Sequence, residues 1–96
     1  GSMLGNQKVV GVAEAAGIPC LLGGMVELGI GSAAGLHFVA AHKNVSLPNY
    51  VVGTLMHADD VIEEEFTLID GCLEVPKGPG LGITLSKEKI KKYTVT

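Results

Sequence analysis

The sequence predicts an α/β fold carrying a short parallel sheet. A helical pattern from about Asn6 to Ala16 gives way after Gly17 to the apolar run Ile18-Pro19-Cys20-Leu21-Leu22. A second helical pattern occupies Ala33 to about Lys43, and a second short apolar run, Tyr50-Val51-Val52, follows it. Helix and buried strand in alternation, twice over, is the order of βα units, whose strands lie parallel.

Each element has its own warrant. In the first helix Val9, Val10, Val12, Ala13 and Ala16 form a broad apolar face, and Gly17 stands where a C′ glycine ends a helix. The run Ile18 to Leu22, apolar throughout, suits a strand buried on both faces. After Gly23-Gly24-Met25-Val26-Glu27-Leu28-Gly29-Ile30-Gly31, Ser32 is the expected N-cap of the second helix. Its residues Ala33, Ala34, Leu36, Phe38, Val39, Ala40 and Ala41 are apolar nearly all round, so it should pack on more than one side. Asn44 to Pro48 reads as loop. Beyond an acidic stretch, Asp59 to Glu65, the segments Phe66 to Ile69 and Cys72 to Val75 flank Asp70-Gly71, a pair suited to the positive φ angles of a type I′ hairpin turn. Pro76 to Gly82 is a glycine-punctuated loop, Ile83 to Leu85 a short strand, and Ser86 the cap of a terminal helix, Lys87 to about Tyr93. Gly1-Ser2 ahead of Met3 reads as a protease-site scar left by cloning and is set aside.

Size and composition narrow the function. A chain of 96 residues forms one small domain, burying about 60–65% of the surface exposed when unfolded. With 47% hydrophobic and 18% charged residues and a mean hydropathy of +0.40, it is no disordered tail, and its surface should be apolar enough to want a partner. The net charge is −3 and all seven basic residues are lysines, which speaks against nucleic-acid binding. Cys20 and Cys72 are too few for a secreted disulfide scaffold, so a reduced, cytoplasmic setting is expected. No run reaches the roughly 18 apolar residues that a membrane span needs.

The loop around Glu27 is the first candidate for chemistry. A carboxylate that follows a buried strand, among Gly23, Gly24, Gly29 and Gly31, stands where parallel-sheet proteins bind substrate. It can serve as an acid, as a metal ligand or as a hydrogen-bond partner of another catalytic group, or simply start a helix on a tight turn. Gly29-Ile30-Gly31 fails the dinucleotide fingerprint, because Ala34 takes the place of its last glycine and no acid follows at the required distance. In Gly78-Pro79-Gly80-Leu81-Gly82 the proline lacks the N–H an anion cradle needs. His57, Asp59, Asp60 and Glu63 to Glu65 contain cation-ligand types, but read better as a solvated acidic face. His37 and His42, five residues apart, do not share a helix face as a metal pair would; one should be packed and the other exposed. Lys87, Lys89, Lys91 and Lys92 complement the dipole of the last helix, and Met25 and Met56 read as gap-fillers.

From about Lys8 to Lys92 the sequence resembles the C-terminal end of enolase-superfamily proteins of the muconate-lactonizing (muconate cycloisomerase) and mandelate racemase-like kind. The matching stretches are Ala13-Glu14-Ala15-Ala16-Gly17-Ile18-Pro19, then Gly23-Gly24-Met25-Val26-Glu27-Leu28-Gly29-Ile30-Gly31-Ser32-Ala33-Ala34, Asp59-Asp60-Val61, and Val75-Pro76-Lys77-Gly78-Pro79-Gly80-Leu81-Gly82-Ile83. The resemblance implies the C-terminal portion of a (β/α)7β barrel, residues 3–58, followed by a segment with a hairpin and terminal helix, residues 59–96, that returns to a capping domain. Ile18 to Leu22 would be the seventh barrel strand, and Tyr50 to Val52 would lie near the eighth. Glu27 would be the carboxylate at the end of the seventh strand, with Gly23, Gly24 and Met25 lining the substrate pocket.

Family members remove a proton next to a carboxylate and hold the enolate on Mg2+, with lysines as bases. Their Lys-x-Lys pair, three acidic metal ligands and opposite-face lysine belong to earlier strands and have no counterpart in these 96 residues. A full barrel takes roughly 200 residues or more, so the chain corresponds to about its last quarter. The resemblance therefore implies no cofactor held by this chain, Mg2+ in the parent family, and no turnover by the chain alone. The parent would be a muconate cycloisomerase, an N-acylamino-acid racemase/o-succinylbenzoate synthase or a dipeptide epimerase. Val51-Val52-Gly53 lacks the paired acidic motif of the epimerases, which favours the first two. The expected partners are the remaining N-terminal portion of the barrel, with a small carboxylate substrate in the complete enzyme, or further copies of this chain. A function of a different class competes: a self-associating module joined through open strand edges, with no catalytic role.

Overall fold

The computed structural model describes residues 2–95. Helix α1 spans Met3–Ala15, three residues longer at its start than the apolar pattern predicts, because Ser2 caps it: the Ser2 hydroxyl accepts the Gly5 N–H at 3.1 Å. Ser2, set aside with Gly1 as a cloning scar, thus takes part in the fold. At the other end Gly17 adopts φ +69, as expected, and the Ile18 N–H closes back on the Ala13 carbonyl at 2.8 Å.

Residues 18–22 and 44–50 then run side by side in the same direction; the second run lies mostly in the segment expected to be loop, with only Tyr50 from the expected strand, and neither forms a regular strand. The Cys20 N–H donates to Asn44 O (2.9 Å) and the Leu47 N–H to Cys20 O (3.2 Å), so an extra residue is bulged out of the second run. One rung further on, the Asn49 side-chain oxygen accepts the Leu22 N–H at 2.7 Å, and the Tyr50 N–H donates to Leu22 O at 2.8 Å. A side chain replaces a carbonyl in the ladder. The expected burial on both faces is also corrected. Cys20 and Leu22 pack against the Val10, Phe38 and Val45 cluster, whereas Ile18 and Leu21 point outward and stay more than half exposed.

Helix α2 spans Gly29–Ala41 and begins four residues before the position expected from Ser32. Ser32 is no cap. It lies inside the helix, fully buried, with its hydroxyl 3.5 Å from Glu27 O. The helix buries Gly29, Ser32, Ala33, Leu36 and Phe38, while Ala40 and Ala41 face solvent, so its packing is broad without being all-round. Gly35 lets it approach the parallel pair: a Cβ there would meet Leu22 at 3.1 Å and Val51 at 3.2 Å. Cys20 is a partly buried free thiol and Cys72 an exposed one.

A 3-10 turn, Gly53–Met56, leads into a segment that crosses the start of α2. Ile62, 1% exposed, seals that crossing against Gly29. An antiparallel bridge joins Ile62 to Leu85, flanked by Glu63 N–H to Thr84 O and Ser86 N–H to Val61 O, both 2.9 Å. Strands β1 (Leu68–Ile69) and β2 (Cys72–Leu73) form the predicted hairpin, with Asp70 at φ 49 and Gly71 at φ 76. It is shorter than the sequence suggests. Helix α3, Lys87–Tyr93, follows Ser86, which holds the cap position without a side-chain bond.

Candidate functional site

Glu27 lies in the short loop between the parallel pair and α2. Its Oε1 accepts the Met25 N–H at 2.7 Å, which folds the carboxylate back over its own loop. The two flanking glycines make room for it. A Cβ on Gly24 would stand 2.9 Å from Glu27 Oε2 and 2.5 Å from Tyr50 O, and one on Gly31 would stand 2.8 Å from Glu27 Cβ. Glu27 and Gly23 line an open cavity of about 360 Å³ with Leu22, Gly31, Gly35, Tyr50 and Val51, its remaining wall coming from Ser2, Met3 and Asn6 at the start of α1. Of the other loop residues expected to line a pocket, Gly24 lies beneath the carboxylate and Met25 is 87% exposed, its backbone rather than its side chain serving Glu27. Met56 is likewise exposed, so neither methionine fills a gap.

The loop is strained where it turns. Val26 adopts φ 62, a left-handed conformation that costs a β-branched residue on the order of 1–3 kcal/mol. One segment grips this turn at three points. The backbone of Gly53 lies flat against the Val26–Glu27 peptide, so close that a Cβ would collide with Glu27 N and O. His57 Nε2 lies 2.8 Å from Val26 O. Both oxygens of Asp60 accept the Gly29 N–H, at 3.0 and 2.8 Å, and the same carboxylate takes the Thr54 hydroxyl at 2.6 Å and the Val61 N–H at 2.6 Å. Asp60 is thus the cap of α2, supplied from 31 residues downstream, and its charge suits the helix N-terminus.

The expectation of a solvated acidic face is therefore wrong for Asp59 and Asp60, both half-buried, while Glu63 to Glu65 stay exposed. Asp59 accepts the Tyr93 hydroxyl at 2.6 Å, the Asp60 N–H at 2.9 Å, and Lys92 and Lys89 at 3.2 Å each. These donors, Tyr93 foremost, hold its carboxyl far below the ordinary carboxylate range. Glu64 is lowered too, chiefly by the Thr84 N–H it accepts at 2.8 Å. Lys89 and Lys92 pin α3 to Asp59 rather than merely answering the helix dipole. His37 and His42 are both half-buried and both bonded, to Leu81 O at 3.1 Å and Phe38 O at 2.7 Å. Among the described residues no group of three or more His, Cys, Asp or Glu is arranged to hold a metal ion, and no helix is long and apolar enough to cross a membrane.

Gly53, Thr54, His57 and Asp60 are the residues that fix the site, and reading along the chain does not assign them that role. Gly53 marks a close approach only once the partner is known, and no local spacing links Asp60 to Gly29.

The resemblance implied the C-terminal portion of an enolase-superfamily barrel, and comparison with known proteins bears that out. The Enolase C-terminal domain-like family matches residues 1–89. The chain belongs to this family. It is 33% identical over 94 residues to muconate cycloisomerase 1 of Rhodococcus opacus, covering 98% of this chain and 25% of that protein. It is 40% identical over 74 residues to the o-succinylbenzoate synthase of Enterococcus faecalis, covering 76% of this chain and 20% of that one. The crystal structure of muconate cycloisomerase from Pseudomonas fluorescens superimposes with a TM-score of 0.89 at 33% identity, covering 96% of this chain and 26% of that one. The fold is accordingly that of the C-terminal part of an enolase-superfamily barrel, and the chain spans about a quarter of the length of the relatives it matches.

Proposed function

We propose that this chain is the C-terminal part of a Mg2+-dependent isomerase or lactonizing enzyme that acts by removing a proton next to a substrate carboxylate. Glu27 is the residue it contributes to the chemistry, and Gly23, Gly24 and Met25 shape the loop beside the substrate. The observation that carries this reading is the built position of Glu27, seated on the Met25 N–H at the mouth of a cavity formed where the parallel pair ends. Among the described residues no group of three or more His, Cys, Asp or Glu is gathered; in this reading the metal ligands and the proton-abstracting lysines lie in the rest of the barrel. The relatives' names span cycloisomerases and a synthase, which leaves the small acid substrate to experiment.

The test is a chimera in which these residues replace the matching C-terminal quarter of the Rhodococcus muconate cycloisomerase. Turnover of muconate, N-acylamino-acid or succinylbenzoate-type substrates is expected from the chimera and not from the chain alone. Glu27→Gln should lower kcat by about 100-fold, the lower range for a group that moves or stabilises a proton. A folded, active chimera indifferent to Glu27→Gln would overturn the assignment.

A second reading, a self-associating module, is favoured by one observation: Val9, Val12, Ile18 and Leu21 leave an apolar face more than half exposed. Light scattering on a sizing column separates the two. A stable oligomer that excludes the remaining barrel portion supports the module, and a monomer that binds that portion supports the enzyme.

A further inference from the structure

We propose that His57 is a positioning residue for Glu27, acting through the Val26 carbonyl. Left-handed Val26 persists only because its surroundings hold it, and among the described residues a single hydrogen bond reaches its carbonyl, from His57 Nε2 at 2.8 Å. A carbonyl only accepts, so Nε2 carries the proton, which both the neutral Nε2–H tautomer and the imidazolium provide. The left-handed turn at Val26 is what carries the Glu27 side chain back onto the Met25 N–H at 2.7 Å. Released from His57, Val26 relaxes toward ordinary φ, and the carboxylate leaves both Met25 and the pocket above Gly24. His57 itself does not line the Glu27 cavity, so its effect passes through the backbone. Gly53 sets how closely the two segments approach, and His57 supplies the bond that decides which way the peptide faces.

The importance of this device for turnover rests on the proposed role of Glu27, but its geometry can be tested without any activity. In the 96-residue chain, nitrogen NMR of the imidazoles should show a His57 Nε2–H protected from solvent exchange and close to Val26. An Nδ1–H tautomer, or an unprotected ring proton in the folded chain, would overturn the proposal. Two variants then separate a hydrogen bond from packing. The Met25 amide shift should follow titration of Glu27 in the parent chain and in His57→Gln, whose amide can still donate, and this response should fall at least twofold in His57→Phe. Equal responses in all three, or equal loss in both variants, would also overturn it. Failure of Glu27→Gln to slow the chimera would leave these NMR results standing, so the two proposals fail separately.

Discussion

Helices α1 and α2 have thirteen residues each, yet they are buried very differently. Helix α2 buries five residues and is covered by the parallel pair on one flank and by the 53–62 segment at its start. Helix α1 buries only Val10, while Val9 and Val12 stay 66% and 73% exposed. Part of the difference is composition, since α1 carries Asn6, Gln7, Lys8 and Glu14 whereas α2 has no charged residue; the rest is the presence of neighbours. The α2 side of the molecule is internally complete, with its caps, turns and charges answered from within the chain. The α1 side leaves apolar surface open, Val9 and Val12 foremost.

That contrast can be broken most severely at Gly53. Gly53→Ala forces a methyl into the Val26–Glu27 peptide and should cost ~3 kcal/mol, read as a lowered denaturant midpoint. Next comes Asp60→Ala, which strips α2 of its cap and leaves the Thr54 hydroxyl unpaired. A loss of about 2 kcal/mol is expected, with amide exchange rising first at Gly29.

The α3 latch should respond to acid. Because the folded Asp59 carboxyl lies below its unfolded value of about 3.9, the unfolded chain binds more protons between the two, and stability there rises with pH. The contribution is complete above the unfolded value and is lost as pH falls below it toward the folded one. Circular dichroism and exchange at Ile90 and Tyr93 should show α3 loosening in that window, and Asp59→Asn should remove the dependence. The smallest effects belong to α1. Val12→Ala should stay within about 0.5 kcal/mol, against about 1.5 kcal/mol for Val10→Ala, which removes two buried methyl groups at ~0.8 kcal/mol each.

Where structure is decided locally, it is legible in the chain. Gly17 and the Asp70-Gly71 turn adopt the backbone angles their residue types favour, and α3 starts after Ser86 as its pattern suggests. Glu27 is recognisable as a candidate because glycines surround it in sequence. What holds Glu27 in place is not, since Gly53, His57 and Asp60 act across 26 to 31 residues and carry no periodic signal. The start of α2 differs from the one Ser32 suggests for the same reason: Ser32 is a good local cap, and a better one arrives from elsewhere. The two strands were expected to be regular because an apolar run says nothing about ladder continuity. Asn49 offers a side-chain acceptor to the Leu22 N–H, which makes the rung at Leu22 a mixed one.

The cap that Asp60 provides also has a meaning in time. Chain leaves a ribosome from its N-terminus, so the whole of α2 is synthesised well before the residue that closes its first turn. Until residue 60 emerges, the helix has its later turns available but no anion at Gly29, and the Val26 turn has neither Gly53 nor His57 to hold it. The carboxylate this chain contributes to the proposed active site is therefore assembled only after the α2 scaffold that carries it already exists.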